Sequence, residues 1–324
     1  MVVKLTETWP NVTIRVEFEP AYELVISLMG YADKQFHRTL DVGSGWIKDV
    51  NQSIGPNLAK RLQSPTARRL IKNFPGITVI DRLTGDKSAS RFVEWMSGMT
   101  RGEIYDYLTT KHVLKNHDDI PQVIDGWPVL AELLGEWNQR YFRNVSSDVL
   151  QALVDDAAQK RSFAKDMPVD EFIQLATIGA RLEPDPNLRQ VVLIPQYHLR
   201  PWNVTHWTGN TWYNQYPVEY DASGNDPAWT RVLRMAQALA EENRLRILQK
   251  IAEGPIRFTD LVKASDVTKS TVHHHLVSLR AARLVVLRTD VSQRQQTYEL
   301  NPNLIDDAAG LLEQVLGSPR RHDS

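Results

Sequence analysis

The chain contains no cysteine. Disulfides, thiolate zinc sites and a cysteine nucleophile are excluded together. No apolar run approaches the ~20 residues needed to cross a bilayer, so no membrane partner is expected. The stretch Met1-Val2-Val3-Lys4-Leu5-Thr6-Glu7 lacks the apolar run of a signal peptide, which leads us to expect a soluble, cytoplasmic protein. Enzyme signatures are also missing. There is no Gly-x-Ser-x-Gly, no phosphate-cradling glycine loop and no paired-histidine zinc motif. The short run Gly43-Ser44-Gly45 reads as a turn rather than a phosphate site, and the pairs Asp118-Asp119 and Asp155-Asp156 read as solvated carboxylates. No enzymatic activity, cofactor or metal is expected. Internal repeats and low-complexity tracts are absent.

What is present is a globular composition. Of the 324 residues, 42% are hydrophobic, enough to bury a core, and the length suggests two domains. A net charge of −1 conceals an asymmetry: residues 229–300 hold 12 Lys and Arg against 7 Asp and Glu, whereas residues 1–228 hold 24 against 28. A basic segment joined to an acidic body suits a nucleic-acid-binding module attached to a domain of another kind.

The pattern along the chain is mostly helical with small β elements, an α+β class. Val12, Ile14, Val16 and Phe18 alternate with polar residues and predict a strand with one buried face. Pro20 opens a helix, and further helices are predicted over 56–73, 88–98, 128–143, 147–162 and 168–180. From Arg189 the texture turns to β, with an apolar run Val191–Ile194, a turn at Gly209-Asn210 and a possible pairing with the strand at 12–18. The polar run 221–227 reads as a linker. We therefore expect a helical amino-terminal domain with a small sheet (1–225) and a carboxy-terminal winged helix-turn-helix (226–317).

The second domain is the more specific reading. Trp229, Val232, Leu233, Ala236, Leu239 and Ala240 recur at helical spacing, and Leu245, Ile247, Leu248 and Ile251 continue after a break near Glu241–Asn243. Thr259 is placed to cap a short third helix. After the turn Ser265-Asp266-Val267, Thr268 is placed to cap a fourth, from Lys269 to about Ala282. On that helix Val272, His275, Leu276 and Leu279 share one face; Ser270, His273, His274 and Val277 fall away from it. A short capped helix after a tight turn is the arrangement that places early residues in the major groove. Thr268, Lys269, Ser270 and Thr271 suit phosphate oxygens, and His273 and His274 can reach base edges. Strands at 284–288 and 297–300 then flank a polar loop. Arg288, Arg294 and Gln295 make this a wing suited to the phosphate backbone or minor groove.

The runs Leu239–Leu248 and Ser270–Val285 resemble the ArsR-type winged-helix regulators over roughly 80 residues. The resemblance implies a homodimeric transcriptional regulator, a repressor, on double-stranded DNA carrying an inverted-repeat operator. The apolar helices 229–240 and 304–316 are the candidates for the dimer contact. Three departures matter. Some members carry a cysteine-rich third helix; here it reads Phe258-Thr259-Asp260-Leu261-Val262. Others carry His and Asp ligands on the final helix; here Asn303–Leu316 has Asp306 and Asp307 but no histidine. Arg283 also stands where the family has glycine, so it must adopt positive φ, or the turn differs.

The aromatic residues of 197–220 are the other candidate site. Tyr197, Trp202, Trp207 and Trp212 could wall a pocket for a small-molecule effector; equally, they could be the core of a small sheet. Three consecutive histidines, 273–275, point about 100° apart on a helix and cannot chelate one ion together, so His275 is read as packed and the other two as facing DNA. Competing readings are an enzyme domain fused to a DNA-binding module, and a winged helix that binds protein.

Overall fold

Val12, Ile14 and Val16 are buried while Thr13 is exposed, and this alternation produces β1 (Thr13–Val16). The computed structural model describes residues 12–37, 40–111, 113, 119–164, 167–177, 180–183, 185–220, 227–290 and 295–317. After β1 come α1 (Pro20–Ala32), α2 (Gly43–Leu62), α3 (Pro65–Asn73), α4 (Gly76–Arg82), α5 (Ala89–Gly98), α6 (Arg101–Thr110), α7 (Ile120–Arg140) and α8 (Ser147–Phe163). There follow α9 (Val169–Ala176), β2 (Ala180–Leu182), β3 (Gln190–Gln196), β4 (Val204–Thr208) and β5 (Thr211–Pro217). The last part holds α10 (Pro227–Leu239), α11 (Glu242–Ala252), β6 (Ile256–Arg257), α12 (Phe258–Lys263), α13 (Lys269–Ala281), β7 (Val285–Asp290), β8 (Gln295–Leu300) and α14 (Leu304–Leu316). The result is mainly helical with two small sheets. No helix among the described residues is long and apolar enough to cross a membrane.

The described residues form two units. Residues 12–164 and 187–218 make the first; 167–186 and 219–317 make the second. Residues 167–186, upstream of the expected boundary, thus group with the carboxy-terminal segment. The linker reading at 221–227 falls almost wholly on residues outside those described.

In the first unit the sheet order is β1-β3-β5-β4, with β1, β3 and β5 parallel and β4 antiparallel to β5. Val191, Val192, Leu193 and Ile194 are all fully buried, as a strand covered on both faces requires. Gly209 supplies the positive φ (57°) of the two-residue β4–β5 turn. The main core joins Tyr22, Leu28, Phe92, Trp127, Leu134 and Trp137 from the helices to Val192, Ile194 and Tyr213 from the sheet.

Several helix boundaries differ from expectation. The helix predicted over 56–73 is two helices. Gly55 (φ 75°) kinks α2, which stops at Leu62, and Ser64-Pro65 restarts the chain as α3 with Ser64 Oγ accepting from Ala67 N–H. Gly43-Ser44-Gly45 is the start of α2, not a turn. Helix α7 begins at Ile120 and runs through Pro128. Its buried face, Trp127, Leu130, Leu134 and Trp137, outweighs the one backbone hydrogen bond that proline removes. Gly126 is there because a Cβ would lie 2.3 Å from Leu70 Cδ2.

Some polar groups of this core are matched, whereas Trp212 Nε1 and both amide atoms of Asn214 are buried without a hydrogen-bond partner among the described residues. Glu23 and His198 are fully buried. Glu23 Oε1 lies 2.5 Å from His198 Nδ1 and accepts from the His198 backbone N–H at 3.0 Å; both carboxylate oxygens accept from Tyr197 N–H. On the other side of the ring, His198 Nε2 is 2.6 Å from the Tyr141 hydroxyl, which accepts from Trp46 Nε1 at 2.6 Å. The Tyr141 proton therefore goes to Nε2, leaving Nδ1–H to donate to Glu23. Burial pushes the Tyr141 phenol well above its usual value. Asp156 corrects the reading of solvated carboxylates: it accepts from Tyr216 Oη at 2.7 Å and pairs with Lys160 at 2.6 Å, mostly buried.

Candidate nucleic-acid interface

The second unit is a winged helix with one addition. Helices α10 to α13 pack on Met235, Ile247, Ile251, Leu261, Val272, Leu276 and Leu279, with Leu284 and Val285 closing the core. The sheet order is β2-β7-β8-β6. The hairpin β7–β8 is the expected wing, and β6 pairs with β8. The addition is β2, which pairs in parallel with β7 (Ala180↔Leu287, Arg181↔Arg288, Leu182↔Thr289). The helix predicted over 168–180 ends at Ala176, because Thr177 Oγ1 turns back to the Ile173 carbonyl at 2.5 Å and the chain then extends.

Helix α11 is capped by a carboxylate. Glu241 accepts from the backbone N–H groups of Asn243 (3.2 Å) and Arg244 (2.9 Å). Burial works against its ionised form, but these hydrogen bonds prevail and lower its pKa. Helix α12 begins at Phe258, so Thr259 is not its cap; the position before it is Arg257, which pairs with Asp260 instead.

Helix α13 starts as the sequence predicts. Thr268 is extended (φ −65°, ψ 156°), and its Oγ1 accepts from Thr271 N–H at 3.2 Å and meets Thr271 Oγ1 at 2.8 Å. This cap contributes about 1 kcal/mol and fixes where the helix begins. Lys269, Ser270, His273 and His274 are exposed. Lys269 has no carboxylate within salt-bridge distance among the described residues; its Nζ lies 6.0 Å from the Phe258 ring. His273 stands edge-on to the same ring at 6.1 Å. Partial desolvation beside Phe258, reinforced by His274 and Arg280, lowers the His273 pKa although the side chain stays largely exposed, so at neutral pH its ring both donates and accepts.

The inward face holds Val272, Leu276 and Leu279, all buried. Val277, expected to face outward, is buried as well. His275 is packed: its Nδ1 lies 3.4 Å from Glu241, and its Nε2 is buried with no hydrogen-bond partner. Burial lowers its pKa, with Glu241 opposing.

In the wing, Arg288 is not held as a free cation. Glu183, just after β2, and Glu299 on β8 (3.1 Å) both pair with it, and these hydrogen bonds raise its pKa further. Glu299 also lies 3.7 Å from Arg181. Sequence reasoning missed β2 and Glu183; three residues are too few to show alternation. Gln295 is half-buried opposite Asp290. Arg294 lies outside the described residues. Much of the basic excess is internally compensated: Arg244, Arg246, Lys250 and Arg257 all pair with carboxylates of their own helix or its cap.

Arg283 takes positive φ (59°), alone among described non-glycine residues. Its guanidinium pairs with Glu219, and its carbonyl accepts from Asn301 Nδ2 at 3.0 Å.

The remaining candidates lie in the first unit. Trp212 is fully buried with its ring 6.5 Å from Trp207. Tyr197 lies under the Arg200 guanidinium, 4.1 Å from the ring centroid, and Trp202 packs edge-on to Phe36 at 5.4 Å.

The sequence of elements from the Glu241 cap to β7 coincides with a family match. The model for "Bacterial regulatory protein, arsR family" covers residues 241–286. A curated relative, "HTH-type transcriptional regulator NmtR" of Mycobacterium tuberculosis (strain ATCC 25618 / H37Rv), is 37% identical over 102 residues, 30% of this chain and 83% of the relative. The chain belongs to the arsR family of bacterial regulatory proteins. A second relative, "HTH-type transcriptional regulator Rv2034" of the same organism, is 35% identical over 77 residues, 24% of this chain and 64% of that protein. No solved structure matches the chain. Membership makes this a DNA-binding transcriptional regulator, and α13 lies within the matched residues. Among the described residues no group of three or more His, Asp or Glu is gathered closely enough to hold a metal ion.

Proposed function

We propose that the protein is a homodimeric repressor that reads an inverted repeat in duplex DNA through α13, acts by binding rather than catalysis, and responds to a small molecule through its first unit. The observation that carries the DNA reading is the exposed start of α13. Lys269 and Ser270 stand there beside free helix N–H groups that suit phosphate, and His273 and His274 lie one turn further along for base edges. Thr268 and Thr271, bonded to one another, serve first as the cap and offer remaining lone pairs and protons to the backbone. Gln295, and Arg294 beside it, would follow the minor groove or its phosphates.

The dimer reading is supported by apolar surface. Ile305 and Leu316 on α14 are 76% and 73% exposed, and Trp229 on α10 is 49% exposed. Side chains of this size left in water on two neighbouring helices suit a second copy. A two-fold pair would set two recognition helices about one DNA turn apart.

The test is a fluorescence-anisotropy titration of the full chain against a random duplex and a duplex from its own upstream region, at low salt. The reading expects measurable, salt-dependent binding to both and tighter binding to the second. Equally negligible affinity for both would mean that the winged helix contacts something other than DNA.

A further inference from the structure

Several cations of the first unit are held in ion pairs. Arg15 pairs with Asp81, Arg61 with Glu132 and Glu136, Arg91 with Glu94, Arg101 with Asp125 and Arg140 with Glu136. Helix α3 gathers three that are not. Arg68, Arg69 and Lys72 have no carboxylate within salt-bridge distance among the described residues, and all three are exposed. Arg68 and Lys72 are one helical turn apart and share a face, so like charges adjoin without compensation.

These three side chains line a cleft of about 600 Å³, the size of a site for a drug-sized molecule. Its other side is the end of α1 and the turn after it. Met29, Ala32 and Phe36 come from there, and Ile71 comes from α3 itself. Asp33 is also at the cleft, with one oxygen accepting from Gln35 N–H at 3.0 Å; three cations against this single carboxylate leave the cleft positive. Met29, Phe36 and Trp202 pack against a second, smaller core of Ile26, Leu40 and Leu199. An apolar floor and an uncompensated cationic rim are complementary to one ligand class.

We infer that this cleft binds a small organic anion, with its apolar body on Met29, Ala32, Phe36 and Ile71 and its anionic head against Arg68, Arg69 and Lys72. The inference rests on the reading of the first unit as the small-molecule-responsive part. Guanidinium groups donate to carboxylate or phosphate oxygens in the same fork geometry, so the head group is defined by charge. Trp202, edge-on to Phe36 at 5.4 Å, stands behind the floor as a built-in optical reporter.

The test is calorimetric titration of the full-length protein with octanoate, 1-naphthoate, 1-naphthyl phosphate, neutral 1-naphthol and inorganic phosphate. Saturable binding of at least one organic anion is expected, at least tenfold tighter than 1-naphthol or inorganic phosphate; the two naphthyl anions separate carboxylate from phosphate-ester preference. The combined variant Arg68→Gln, Arg69→Gln, Lys72→Gln should weaken that binding at least tenfold at an unchanged thermal midpoint, since all three side chains are exposed. Binding should also change tryptophan emission, and Trp202→Phe should remove most of that change. No saturable anion binding, equal binding of 1-naphthol, or an unaffected triple variant would overturn the site. Anion binding that leaves DNA affinity unchanged would keep the site and overturn the effector reading, because a ligand shifts an equilibrium only by its differential affinity for the two states.

Discussion

Arg283 and His275 show how single residues in the winged helix are set. A side chain at φ 59° costs about 1 kcal/mol relative to glycine. Arg283→Ala would lose the Glu219 pair and keep that strain, whereas Arg283→Gly would lose the pair and relieve the strain. The glycine variant should therefore be the more stable of the two by about 1 kcal/mol, read as the difference in their thermal midpoints. Equal midpoints would mean the turn relaxes. His275 sets a pH dependence. Its folded pKa lies below the usual 6.5, chiefly through burial. The neutral ring is thus favoured by folding, and this contribution is complete above about pH 6.5 and is lost as pH falls through the folded value. Stability of the winged helix should decline on acidification below that point. His275→Leu should flatten the decline, since the buried Nε2 has no partner to lose. An unchanged pH profile in denaturant melts of this variant would assign the decline elsewhere.

Among the elements, the parallel strand β2 changes what the wing can offer. Glu183 and Glu299 hold Arg288, so DNA phosphates must compete with two carboxylates for it. Removing one charge by Glu183→Gln should tighten binding to random duplex about two- to fivefold at low salt and steepen the salt dependence by up to about one unit of slope. Unchanged affinity and slope would place Arg288 off the DNA path. This contact was not legible in the sequence. Elements with a full period of pattern were: β1 from its alternation, α5 and α8 from their apolar faces, α13 from its cap and its buried Val272, Leu276 and Leu279. Short elements and long-range partners were not. The two-residue β6 and three-residue β2 carry no period, and Glu183 is an ordinary acidic residue until β2 brings it to Arg288. Proline and glycine misled in both directions: α7 runs through Pro128 because a buried tryptophan-rich face holds it, while Ser64-Pro65 divides what reads as one helix. Val277 is buried although its helical angle points it outward, since angle alone does not report what lies opposite. The aromatic residues 197–216 were legible as a cluster, but only three-dimensional packing places Trp212 inside and Trp202 behind Phe36.

At the scale of the whole molecule, reading an inverted repeat as proposed takes two copies of the chain. Ile305 and Leu316 are the most exposed large apolar side chains of α14, and burying them would contribute roughly 1.5–3 kcal/mol each. The double variant Ile305→Glu, Leu316→Glu should elute as a monomer in light-scattering chromatography and lose most operator affinity, because one half-site is then bound alone. A variant that stays dimeric would place the two-fold contact on another face. The first unit, outside the arsR match at 241–286, would supply the signal, and its effect must reach α13, the wing or the dimer contact.

The most direct test of the central claim, that α13 reads duplex DNA, is selection of bound duplexes from a random pool by the full-length protein. The wild type should enrich an inverted repeat with half-sites about one helical turn apart, or a multiple of it. The variant His273→Ala, His274→Ala should enrich a different or relaxed half-site, and Lys269→Ala the same one at lower yield. Enrichment of no sequence by the wild type, or of the same half-site at equal yield by all three proteins, would contradict the account.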